Sequence, residues 1–103
     1  MKVVLKSGGG AASFEEYIVR VPAGETVFSE GDVGTEMYVI QSGTVDIVKK
    51  VKDEARVLSV LERGDFFGEM SILEDVPRTA DAIARTDVEL VRINQSTFDE
   101  MLR

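Results

Sequence analysis

The chain is 103 residues long with a net charge of −7, which allows one domain and disfavours direct contact with a nucleic-acid backbone. Cysteine and histidine are both absent, which excludes disulfides, thiolate nucleophiles, zinc–sulfur sites, His-ligated metals and a Ser-His-Asp triad. No apolar run approaches the ~20 residues of a membrane span, and the apolar start is too short for a secretion signal, so the cytoplasm is the expected compartment.

Residues 1–13, with glycine at positions 8, 9 and 10, form a flexible lead-in, and 14–103 is the folded domain. The glycines lack the lysine and hydroxyl of a GxxxxGK[ST] phosphate loop. From Tyr17 the chain runs in short alternating strands, at 17–21 and 26–28, with a turn at 22–24. Gly31-Asp32 is a turn and nothing further. Strands at 37–40 and 44–48 flank Gln41-Ser42-Gly43, a strong hairpin signal. Residues 49–53 are the charged tip of a second hairpin, and alternation resumes over 56–61 before Gly64-Asp65 turns the chain. Two more strands occupy 80–85 and 88–93. Gln95, Ser96 and Thr97 then cap a helix over 98–102, with Asp99 and Glu100 in its first turn. So many short strands predict a mainly β fold: an antiparallel jelly-roll β-barrel, or double-stranded β-helix, with short flanking helices.

In the segment 67–84, FGEMSILEDVPRTADAIA, the strand patterning is interrupted over 68–73. Gly68 allows close backbone approach. Residues 69–73 make a short helix whose free amides suit an anion. Val76-Pro77 ends it and returns the chain toward the barrel. Arg78 then stands among small and apolar residues, where an unpaired cation is costly to bury and its planar fork suits phosphate or carboxylate. Glu69 accepts hydrogen bonds, and its natural partner is a hydroxyl, as on a ribose. In the empty state the two side chains can pair with each other. Phe66, Phe67, Met70 and Leu73 read as core, and Thr79 is balanced between ligand contact and a plain strand residue.

The run Phe67-Gly68-Glu69, an apolar turn, Pro77-Arg78-Thr79-Ala80 and Ala82 resembles the phosphate-binding cassette of cyclic nucleotide-binding domains, which bacterial catabolite activators, kinase regulatory subunits and gated channels share. The resemblance includes Gly24-Glu25, Gly31-Asp32, Gly43 and Gly64-Asp65, and extends over 14–102. It implies that Glu69 holds the ribose 2′-hydroxyl and Arg78 the cyclic phosphate. Amides near Ser71 and Thr79, with the Thr79 hydroxyl, would add phosphate contacts, and Gly68 would let the ribose approach. The implied ligand-binding set is Phe67, Gly68, Glu69, Met70, Ser71, Arg78, Thr79 and Ala80, with Ile72 as an allosteric hinge.

The expected function is a non-enzymatic regulatory module that binds a cyclic nucleotide, cyclic AMP first and cyclic GMP second. It needs no cofactor or metal, binds neither nucleic acid nor membrane, and passes its signal to an effector domain or partner protein that the residues do not identify. The alternative is a differently liganded jelly roll acting as a protein-interaction module. A cupin-like metal enzyme, which shares the barrel, lacks its histidine ligands here. In the family a longer C-terminal helix covers the base. The chain reaches Arg103 where that helix should begin, so it is expected to be either a minimal binder or part of a larger regulator.

Overall fold

Short runs in which apolar and polar residues alternate can bury one face only, so they pair into sheets that meet across a shared core. The structure, a computed structural model, describes residues 18–69 and 76–101. In chain order these form β1 (Ile18–Val21), β2 (Thr26–Phe28), β3 (Met37–Ser42), β4 (Val45–Val51), β5 (Glu54–Leu61), β6 (Phe66–Phe67), β7 (Asp81–Ala84), β8 (Val88–Ile93) and α1 (Gln95–Met101). The lead-in 1–13 and Tyr17 lie outside the described residues.

Two antiparallel four-stranded sheets result, in the orders β1-β8-β3-β6 and β2-β7-β4-β5. The chain passes back and forth between them, so neighbours in a sheet are mostly distant in sequence, as in a jelly roll. Among the described residues no ladder joins the two sheets into a closed cylinder. Ile40 and Val45 from β3 and β4, Phe67 from β6, Ala82 and Ala84 from β7, and Val88 and Leu90 from β8 form one buried cluster between the sheets. Burial of each larger apolar side chain contributes roughly 1.5–3 kcal/mol. Phe67 is core as expected, while Met70 and Leu73 lie outside the described residues.

Two local expectations are corrected. Gln41-Ser42-Gly43 does not close a hairpin: β3 pairs with β6 and β8, whereas β4 pairs with β5 and β7. The turn carries the chain from one sheet to the other. Gly43 has φ 88°, and a Cβ there would press on the Asp87 carbonyl and lie 2.7 Å from the Val88 side chain. The turn is held against the β7–β8 connection by Thr44 N–H donating to Thr86 Oγ1 (3.0 Å) and Arg85 N–H donating to the Thr44 carbonyl (2.9 Å). A glycine reversal signals that the chain turns; which strands then pair depends on where their buried faces fit.

The helix also begins earlier. Asn94 is its N-cap, its Oδ1 accepting from Thr97 N–H at 2.9 Å and Thr97 Oγ1 at 3.0 Å. Gln95, Ser96 and Thr97 are therefore the first turn and not the cap. Asp99 and Glu100 fall beyond that turn, which contains no acidic residue, so the favourable charge–dipole contact is lost. Phe66-Phe67, for which only a core position was expected, forms a short strand paired with Tyr38 and Val39. By contrast, β4 and β5 do form the expected hairpin. Lys52 and Asp53 at its tip have φ 53° and 67°, the positive pair a two-residue type I′ turn requires.

Candidate functional site

Pro77 has a fixed φ and disfavours helix at the residue before it, so the chain reaches Arg78 extended. A tight turn over 29–32 receives it. Asp32 closes this turn, its Oδ2 accepting from Ser29 N–H at 2.9 Å while its own N–H donates to the Ser29 carbonyl at 3.0 Å. The turn then grips the main chain of Arg78 on both sides. Gly31 N–H donates to the Arg78 carbonyl (2.8 Å), and Arg78 N–H donates to the Asp32 carbonyl (2.9 Å). Glu30 N–H adds a bond to Asp81 Oδ1 at 2.7 Å. Lys49 on β4 completes the staple, its Nζ lying 2.9 Å from the Thr79 carbonyl and 3.1 Å from Glu30 Oε1. Gly31-Asp32 is thus more than a turn: it is the socket of the Arg78 backbone.

Arg78 is 6% exposed. Its Nη1 donates to the Gly68 carbonyl at 3.0 Å and its Nη2 to the Glu36 carbonyl at 2.6 Å. Its Cζ lies 4.3 Å from the centre of the Phe28 ring, within cation–π range. Phe28 in turn packs on Tyr38 and Phe67 at centroid separations of 6.3 and 5.8 Å. Burial lowers the Arg78 pKa from its ordinary value, with Tyr38, Glu36 and Asp32 acting in the opposite direction. Tyr38 is raised, by burial first and by Glu36 second. The site therefore holds a cation away from water on dipoles and a ring face. The expected pairing with Glu69 is not made among the described residues; Nη1 donates instead to the carbonyl of Gly68, one residue earlier.

Phe67, Gly68, Glu69, Arg78, Thr79 and Ala80 line one open cleft of about 230 Å³. All the sequence-predicted ligand residues that the structure describes thus come together there. Gly68 has φ 82°, Glu69 is half-buried, and Thr79 is exposed and precedes β7 instead of belonging to it. Met70, Ser71 and Ile72 lie outside the described residues, as does the expected helix 69–73 beyond its first residue.

The rest of the cleft was not anticipated. Phe28 enters from β2, and Ile47, Ser59 and Leu61 come from β4 and β5. Phe28 looked like any strand aromatic, and only its position under the cation distinguishes it. Gly34 and the Glu36 carbonyl belong to a loop whose signal was a second glycine in a stretch without apolar alternation.

The model of the family described as cyclic nucleotide-binding domain matches residues 18–103. The chain is 38% identical over 84 residues to the cAMP-dependent protein kinase regulatory subunit of Aspergillus fumigatus, which covers 82% of this chain and 20% of that protein. It is 39% identical over 80 residues to the subunit of the same name from Eremothecium gossypii, covering 78% and 17%. It spans about a fifth of the length of these curated relatives. Among solved structures, the catabolite activator protein of Thermus thermophilus superposes with a TM-score of 0.77 at 30% identity, over 94% of this chain and 47% of that one. The cAMP-bound form of the EAL enzyme Bd1971 gives 0.76 at 32% identity, over 82% and 23%.

Proposed function

The chain belongs to the cyclic nucleotide-binding domain family, and from that premise we propose that residues 14–103 form a regulatory module that binds cyclic AMP in the cleft beside Arg78. The observation that carries this is the setting of Arg78: a nearly buried cation whose partners among the described residues are carbonyls and a ring face, at the edge of a cleft that also contains Glu69. A phosphate monoanion there would neutralise the cation in a medium of low dielectric, where such pairing is worth most. Glu69 would accept from the ribose 2′-hydroxyl, and Gly68 would let the sugar approach the backbone. Phe67, Thr79 and Ala80 would line the same surface. Met70, Ser71 and the hinge Ile72 enter this assignment from the family resemblance alone.

Preference for cyclic AMP over cyclic GMP is supported by the names of the relatives, which are cAMP-dependent regulatory subunits. The words regulatory subunit in those names also support a non-enzymatic sensor that hands its signal to an effector, and the cytoplasm belongs to the same reading. Among the described residues no helix is long and apolar enough to cross a membrane.

The test is calorimetric titration of the wild type and of Arg78→Ala with cyclic AMP and cyclic GMP. Each charge-assisted hydrogen bond lost contributes ~1.5–3 kcal/mol, so cyclic AMP binding should weaken by a hundredfold or more in the variant. Equal affinities would remove Arg78 from the site. Tighter binding of cyclic GMP by the wild type would overturn only the choice of base.

A further inference from the structure

We propose that Phe28 and Gly34, both outside the segment 67–84, are positioning residues that hold the Arg78 guanidinium in place before ligand arrives and so set phosphate affinity through it. The inference rests on the functional assignment above and adds the parts that aim its central cation.

An arginine side chain has several freely rotating bonds, and ordering it at the moment of binding costs affinity. Here the ordering has already happened. The Phe28 ring lies under Cζ at 4.3 Å. The same ring would lie 3.4 Å from a Cβ on Gly68, so it is wedged between the guanidinium and the start of the cassette. The glycine at 34 has a specific reason. Its φ is not in the left-handed region, so the backbone itself does not demand glycine. What demands it is Arg78: a Cβ at 34 would stand 2.6 Å from Nε and 2.7 Å from Cζ, and would press on Nη2 as well. Two residues on, the Glu36 carbonyl accepts from Nη2 at 2.6 Å. One stretch, 28–36, therefore supplies the floor, the missing side chain and an anchoring carbonyl for a cation carried by another segment.

The substitutions separate this role from ordinary packing. Phe28→Leu keeps an apolar side chain and loses the ring face; Phe28→Tyr keeps the ring. Gly34→Ala is tolerated by the backbone and displaces the guanidinium. Calorimetry with cyclic AMP should show Phe28→Leu weakened by roughly 5- to 30-fold, Phe28→Tyr within about twofold of wild type, and Gly34→Ala weakened by roughly tenfold or more. In an Arg78→Ala background neither Phe28→Leu nor Gly34→Ala should weaken binding further, since the residue they act through is gone. Wild-type affinity in both single variants, or undiminished losses in the Arg78→Ala background, would overturn the proposal.

A second measurement needs no ligand. In the free protein the Nε–H proton resonance of Arg78 should be displaced by the Phe28 ring current, retained in Phe28→Tyr and lost in Phe28→Leu. An undisplaced resonance in the wild type would overturn the positioning directly. A wild type that binds no cyclic AMP while retaining that displacement would sink the functional assignment and leave the positioning of Arg78 standing.

Discussion

The two walls of the cleft are built to different standards. On the Arg78 side, the 29–32 turn and the 78–81 segment are joined by main-chain bonds, the Lys49 bridge and the Asp81 carboxylate, and Arg78 itself is 6% exposed. On the other side, β5 is an edge strand whose only partner among the described residues is β4. Its pairing skips Leu58 in a bulge, and Val57, Leu58 and Val60 expose about half their surface, at 51%, 57% and 49%. On the function proposed above, the difference would follow from what each wall recognises. Charge recognition is worth energy only when donors are fixed and dry, whereas apolar contact is non-directional and tolerates a looser surface.

Substitutions can break or sharpen this contrast. Arg78→Ala, with its loss of a hundredfold or more in affinity, is the largest expected effect. Gly68→Ala comes next. It forces a side chain into φ 82° and places a Cβ 2.7 Å from Nη1 of Arg78 and 3.3 Å from the Glu36 carbonyl. A stability loss of about 1–3 kcal/mol is expected by denaturant unfolding, together with weaker cyclic AMP binding. If alanine were accepted at no cost, the Arg78 wall would be slack and the contrast would fail.

Lys49→Met removes the bridge to Thr79 and Glu30, but the Lys49 side chain is 41% exposed. Solvent screening limits the expected loss to about 0.2–1 kcal/mol, smaller still in high salt. A salt-independent loss of several kcal/mol would mean that the staple, and not the buried cation, organises the wall. Leu58→Ser should do least: stability within about 0.5 kcal/mol and unchanged affinity, because the side chain is exposed and does not line the cleft. A large destabilisation there would show β5 to be as constrained as the Arg78 side.

How far the chain could be read in advance varied with the range of the forces involved. Strands β2 and β8 stand at their expected bounds, since alternation is a local property. The β4–β5 tip was legible because a short charged segment between two apolar runs closes on itself. The Gln41–Gly43 reversal was not, because the same turn chemistry serves a hairpin and a passage between sheets. Asn94 went unrecognised as a cap because three other polar residues follow it, and only the bond to Thr97 distinguishes them. That Glu69 and Arg78 would lie near each other was legible through their spacing around Pro77, and both line the cleft. What Arg78 bonds to was hidden, since its acceptors are backbone carbonyls, which every residue carries.

Composition and order alone determined the class of the fold, the absence of histidine and cysteine chemistry, and the choice of Glu69 and Arg78 as the candidate acid and cation in the 67–84 segment. These depend on residue type and near-neighbour spacing, which a linear string records. Tertiary structure alone decided that Phe28, Gly34 and the Glu36 carbonyl meet that cation, the last of them 42 positions away along the chain. The physical reason lies in the jelly roll: its strands cross between sheets, so each corner is assembled from segments whose only common property is where their buried faces come to rest.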